Sequence, residues 1–185
     1  MTTPTSLDDI LTPRLILHLM SAEAIEACLS KDLQSAEELL GVQIPEELFD
    51  RTSSFMHDKK QLENDPDYLP WSARAIILPR EQVMIGMIRF HSRPDPEYLH
   101  DFVRDAVEIG YFIFSKYRRQ HYATEAAKAI MAWAQHHFGV HKFVASVSPN
   151  NAASLKLIGN LGFIKIGEAM DEVDGMEYVF LHNTL

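Results

Sequence analysis

The stretch AVEIGYFIF, Ala106 to Phe114, is apolar on both faces except for Glu108. A strand of that kind lies inside a sheet, covered on both sides. The next residues narrow the fold further. A basic loop, SKYRRQHY, runs straight into ATEAAKAIMAWAQHHFG. That segment carries the strongest helical pattern in the chain, with Ala126, Ile130, Trp133 and Ala134 on one stripe and Gly139 at its end. HKFVASVS then reads as another strand. Strand, helix and strand make a parallel crossover, right-handed by the general rule.

The rest of the chain supplies partners for this unit. RLILHLM, Arg14 to Met20, alternates as a first strand. SAEAIEACLSKDLQSAEELLG predicts one or two helices, capped by Ser21 and ended by Gly41, and IPEELFDRTSSFMHDKKQLENDP predicts a polar helical segment with Pro45 in its first turn. Trp71 to Leu78 and VMIGMIRFHS form a hairpin around Glu81-Gln82. NNAASLKLIGNLGF reads as a short helix ending at Gly162, and the last hairpin turns at Asp174-Gly175. The fold class is α/β in the mixed α+β sense: one twisted sheet of about seven strands layered with helices.

The chain has 185 residues, a length suited to one domain with its own core. Its single cysteine, Cys28, excludes a disulfide framework and reads as a small buried residue on a helix. A formal net charge of -9 argues against a nucleic-acid partner and mildly favours a cationic one. No basic-then-apolar N-terminal run and no apolar span of about 20 residues are present, so neither a signal peptide nor a membrane partner is expected, and a cytoplasmic location is. The chain has 9 histidines, but its single cysteine removes the commonest zinc patterns, and no metal is expected.

The loop between Phe114 and the alanine-rich helix is where chemistry enters. The first turn of a helix carries N–H groups without helical partners, and its dipole favours an anion. Arg118 and Arg119 add positive charge. A P-loop is excluded, because no glycine pair and no Gly-Lys-Ser/Thr occur here.

EIGYFIFSKYRRQHYATEA resembles the acetyl-CoA-binding signature of the GNAT superfamily of N-acetyltransferases, in the branch of the RimJ/RimL-type enzymes. The superfamily pattern Arg/Gln-x-x-Gly-x-Gly/Ala corresponds to Arg118-Arg119-Gln120-His121-Tyr122-Ala123, with histidine in place of its first glycine. LTPRLILHLM resembles the branch's opening T-x-R-L-x-L strand, NNAASLKLIGNLGF its N-x-x-S helix, and VDGMEYVFL its last hairpin. The resemblance covers Thr12 to Leu181 and implies a single N-acetyltransferase domain of the GNAT acyl-CoA N-acyltransferase fold. It also implies helices on both faces of the sheet and a splayed central strand pair holding acetyl-CoA. Main-chain groups of Tyr111, Phe112 and Ile113 would pair with the pantetheine arm. N–H groups of Arg119, Gln120, His121, Tyr122, Ala123 and Thr124 would hold the pyrophosphate, with Arg118 beside them. Asn151 and Ser154 would reach the thiol end. His121 stands where the family has glycine. Histidine can hold ordinary helical dihedrals, so the loop shape is expected to survive, and its imidazole could attract a phosphate.

Acetyl transfer to an amine needs a base, because a free alkylamine is protonated at neutral pH. It also needs a donor for the developing oxyanion, for which an N–H near Phe112 is expected. The tyrosine that many family members use as acid is here Ile158, so Ser154 is the candidate. The family's glutamate before the N-x-x-S helix is here Ser146. Glu108 is the first candidate base, with pairing to an arginine such as Arg89 as its structural alternative. Glu172 is the second, with Asp171 and Asp174 nearby. Phe90, Asp95, Glu97 and Tyr98, in FHSRPDPEYLHDF, are placed to border the acceptor pocket. The partner expected is an amine, as a small molecule or a protein N-terminus, and the resemblance allows a homodimer. A second reading is an acyl-CoA sensor without turnover, towards which His121, Ile158 and Ser146 point.

Overall fold

The computed structural model describes residues 5–171 and 175–184. It is one open mixed sheet of eight strands, in the order β1-β2-β3-β4-β5-β6-β8-β7. The strands are β1 (Ile10–Leu11), β2 (Ile16–Leu19), β3 (Arg74–Leu78), β4 (Val83–Phe90), β5 (Ala106–Ile113), β6 (Lys142–Val147), β7 (Ile164–Asp171) and β8 (Gly175–Asn183). The helices are α1 (Ala22–Leu29), α2 (Leu33–Leu40), α3 (Thr52–Asn64), α4 (Tyr122–Phe138) and α5 (Ala152–Asn160). The strand beyond the seven expected is β1, whose two residues are too few to show alternation. Ser21 caps α1 and Asp32 caps α2, so the first helical segment is two helices. The strand expected from Trp71 starts only at Arg74, because Pro66 to Trp71 wind into a 3-10 helix. Asp174 lies outside the described residues. Cys28 is buried in the core, which pushes its thiol up to about 12.

All neighbouring strands are antiparallel except β5 and β6. That pair runs parallel for three positions only, Ala106 to Glu108 against Lys142 to Val144. Beyond Glu108 the two strands part. On the other side β5 stays paired with β4 to its end, from Phe90 opposite Ile109 to Gly86 opposite Ile113. A bulge leaves Ile85 of β4 without a partner on β3, since Ile76 faces Gly86 and Ile77 faces Met84. At Gly86 a β-carbon would lie 2.2 Å from the Phe112 carbonyl oxygen, so β4 approaches β5 where only glycine fits.

The register of β4 and β5 fixes what each β5 residue presents. His91 N donates to Glu108 O, and Phe114 N donates to Ile85 O. In an antiparallel pair the bonded positions alternate. The main-chain groups of Glu108, Gly110 and Phe112 are therefore used on β4, and those of Ile109, Tyr111 and Ile113 face the gap beside β6.

Side chains divide by the same parity. Phe112 meets Phe55 of α3 edge-on at 6.4 Å. Phe90, opposite Ile109, stacks near Trp133 of α4 at 6.4 Å. Opposed residues share a face, so α3 covers one side of the sheet and α4 the other, as expected for helices on both faces.

Candidate active site

A cleft of about 390 Å³ opens where β5 and β6 part. Its walls come from β5 (Ile109 to Phe112), β6 and the turn after it (Ala145 to Ser148), the start of α5 (Asn151, Ser154), β4 (Met87, Arg89) and Ser54 of α3.

On the α4 side the loop after β5 approaches the gap. Ser115 to Tyr117 form a 3-10 turn, Arg118 is extended, and α4 starts at Tyr122. Arg119 and His121 both hold left-handed dihedrals, at φ 62° and 64°. The expectation that His121 would take ordinary helical angles is thus overturned. It sits just outside the helix, in the region that glycine occupies freely and other residues rarely enter. Its side chain makes no cap to the helix. The first α4 bond runs from Glu125 N to His121 O, at 3.1 Å. None of the N–H groups from Arg119 to Thr124 donates to a described residue. They form the row of free donors that a pyrophosphate needs. Arg118 is not aimed straight at that row. Its Nε donates to Ile113 O at 2.9 Å, and an Nη lies 3.7 Å from Glu47.

At the mouth of α5, Asn151 caps the helix by accepting from Ser154 N at 3.1 Å. Ser154 Oγ accepts from the hydroxyl of Tyr111 at 3.1 Å. Burial pushes the Tyr111 phenol up, against the opposing effect of Ser154. Sequence reasoning missed this tyrosine hydroxyl. The position that the family resemblance marks for a tyrosine is 158, a buried isoleucine. The signal was the odd position of Tyr111 in β5, which turns its ring to the α5 side.

On the α3 side Glu108 is 6% exposed. Ser146 donates to its Oε1 at 2.5 Å, and His91 Nδ1 is 3.8 Å from its Oε2. Tyr98 is 52% exposed, so partial burial and, after it, this carboxylate raise its phenol against the moderating effect of solvent. Arg89 is not the partner of Glu108. The guanidinium bonds Asp58 of α3 at 2.7 Å and the carbonyl of Ser54. Asp58 is fully buried and also accepts from Tyr68 Oη and Ala73 N, both at 3.1 Å. Asp58 escaped notice because it sits in a polar-looking helix. Burial, then the Arg89 charge and His57, hold the His91 imidazole down to about 3, so it is neutral near pH 7.

Other expectations shift. Phe112 N–H is directed at β4, which leaves Tyr111 and Ile113 as the strand donors at the gap beyond the last β5–β6 pair. Phe90 is buried on the α4 side and does not border the cleft. Asp95 accepts from Asp105 N at 2.9 Å and from His100 at 3.1 Å, which ties the loop to itself. Glu172 lies outside the described residues. Among the described residues no group of histidine, cysteine or acidic side chains could hold a metal, and no helix is long and apolar enough to cross a membrane.

Residues 14–164 match the model of the family described as Acetyltransferase (GNAT) domain. The chain belongs to the GNAT acetyltransferases, whose acyl donor is acetyl-CoA. It is 26% identical over 124 residues to "Uncharacterized N-acetyltransferase YnaD" of Bacillus subtilis, which spans 67% of this chain and 65% of that relative. Among solved structures it is similar to ribosomal-protein-S5-alanine acetyltransferase from Vibrio fischeri (TM-score 0.64, 17% identity, 95% of this chain and 96% of that one). It is also similar to Mycobacterium smegmatis RimJ in complex with CoA-disulfide (TM-score 0.61, 16% identity, 92% and 82%). At those identities the likeness is one of fold. The residues present fit the cosubstrate: a parted strand pair with the main chain of Tyr111 turned to the gap between Ile109 and Ile113, and a row of unpaired N–H groups at a helix start.

Proposed function

We propose that the protein transfers an acetyl group from acetyl-CoA to a primary amine. The observation that carries the reading is the placing of Glu108. It is the buried carboxylate at the point where β5 and β6 part, with Ser146 holding one oxygen. Acetyl-CoA, when bound, supplies an activated thioester. Ile109, Tyr111 and Ile113 offer main-chain groups to an extended chain in the gap, and an N–H among them can donate to a carbonyl oxygen there. The loop donors from Arg119 to Thr124 take the pyrophosphate. Glu108 Oε2 accepts the proton that the ammonium must lose. Ser154 Oγ, backed by the Tyr111 hydroxyl, can hand a proton to the leaving sulfur. Asn151 holds Ser154 in place by capping α5.

The acceptor side is the α3 face, where Arg89 is neutralised by Asp58 and His91 is uncharged. Glu108, and Glu177 of β8 which also lines the cleft, are then the groups there that attract an ammonium. The similarity to a structure named as a ribosomal-protein-S5-alanine acetyltransferase supports a protein N-terminus as acceptor. A small amine is the alternative within the same chemistry. A cytoplasmic location and a homodimer accord with this reading.

The test is thiol release from acetyl-CoA with a panel of amines and N-terminal peptides, for wild type and Glu108→Gln. Turnover with at least one amine is expected. Glu108→Gln is expected to lower kcat by about 10²–10⁴-fold while acetyl-CoA affinity stays within a few-fold. Binding of acetyl-CoA without turnover on any amine would replace this reading by that of an acyl-CoA sensor.

A further inference from the structure

The loop between Arg118 and Tyr122 is an unfavourable shape for its sequence. Two of its residues, Arg119 and His121, are left-handed without being glycine. Such a conformation persists when its surroundings over-determine it. The surroundings here come from far away in the chain. Arg14, from the corner between β1 and β2, reaches across with its whole side chain. Its Nη1 donates to Gln120 O at 3.1 Å, inside the loop. Its guanidinium lies 4.6 Å from the centre of the Tyr122 ring, the first residue of α4. Its Nε and its main-chain N–H both donate to Glu125, at 2.6 and 3.0 Å. Thr12 Oγ1 donates to the same carboxylate at 2.6 Å.

Glu125 gives the contact a second purpose. It stands in the first turn of α4, where an unbalanced carboxylate would seek the same free N–H groups as a bound anion and repel that anion. Burial pushes its carboxyl up, but Thr12 and Arg14 outweigh burial and hold it below the usual carboxylate range. The helix start is left to an incoming ligand.

We propose that Arg14 is a positioning residue for acetyl-CoA, which fixes the Arg118–Tyr122 loop in its binding shape and takes Glu125 out of competition for the pyrophosphate. This rests on the reading that the loop receives the pyrophosphate. Thr12 is its partner in the clamp.

The experiment compares wild type, Arg14→Met and Arg14→Lys with two acyl donors, acetyl-CoA and S-acetylpantetheine, which has no pyrophosphate. Calorimetry gives Kd for acetyl-CoA, and steady-state kinetics give KM and kcat for both donors. For Arg14→Met, Kd and KM for acetyl-CoA are expected to rise about tenfold or more, as for loss of preorganisation. At saturating acetyl-CoA kcat should remain within about twofold, and values for S-acetylpantetheine should not move. Arg14→Lys keeps the charge but loses the fork, and should fall between. Should Arg14→Met fail to fold, Arg14→Lys carries the same comparison. Unchanged acetyl-CoA affinity, or an equal loss with both donors, overturns the proposal. Failure of wild type to bind acetyl-CoA would instead overturn the reading on which it rests.

Discussion

The imidazole of His91 fills the space that a β-carbon would take at Gly110: the added atom would lie 2.2 Å from His91 Nε2. Both residues belong to the α3 face, and His91 Nδ1 is 3.8 Å from Glu108. The packing of a ring over a bare backbone thus sets the floor of the proposed acceptor side.

Gly110→Ala forces that ring to move. The atom in the way is the end of a side chain, so the ring swings aside at a cost of about 1–2 kcal/mol. Gly86→Ala meets the Phe112 carbonyl oxygen instead, also at 2.2 Å, and a paired main chain yields less. Gly86→Ala is expected to lose about 3 kcal/mol. Urea unfolding of the two variants should rank them in that order. In kinetics, Gly110→Ala should raise KM for the amine more than KM for acetyl-CoA.

Acid should weaken the fold through His91. Below about pH 6.5 an unfolded chain binds a proton on this imidazole. The folded chain takes that proton only near pH 3. Between these values the unfolded state holds more protons, so stability falls as pH drops through the window. The side chain is 33% exposed, and solvent moderates the slope. Unfolding measured from pH 7 to pH 4 should show a shallower fall for His91→Asn than for wild type. Identical slopes would show that His91 has no part in acid sensitivity.

His121→Gly tests the left-handed corner. Relief of about 1 kcal/mol in the folded state is offset by about 0.5 kcal/mol from a freer unfolded chain. The melting temperature should rise by about 1–2 °C. Acetyl-CoA affinity, read by calorimetry, should hold or improve, because the β-carbon leaves the loop. A tenfold loss would assign the imidazole itself to the phosphates.

The elements with a strong period were legible from residue order: β5 from its apolar run, α4 from its stripe and Gly139, the β3–β4 hairpin from its turn. The loop before α4 was legible as a place. Its shape was not, because a residue's identity does not reveal a left-handed dihedral at histidine or arginine. Charge pairing was the least legible. Arg89 is one arginine that could have paired with Glu108, but it stands opposite Gly110 and its partner is Asp58, 31 positions away on α3. Nothing local marks Asp58 as buried. Likewise Thr12 and Arg14 were visible as an opening motif, but their hold on Glu125 arises only when β1 and β2 meet α4.

Alternation along β5 separates two tasks by odd and even number. Odd positions offer their backbone to the gap, and any residue but proline supplies the same backbone. Even positions spend their backbone on β4 and turn their side chains to the opposite face. Exchanging the side chain at 112 therefore rewrites one face of the sheet and leaves the main-chain edge of the gap intact. A chain built this way can drift from one acceptor to another by point substitution while its grip on the donor stays fixed.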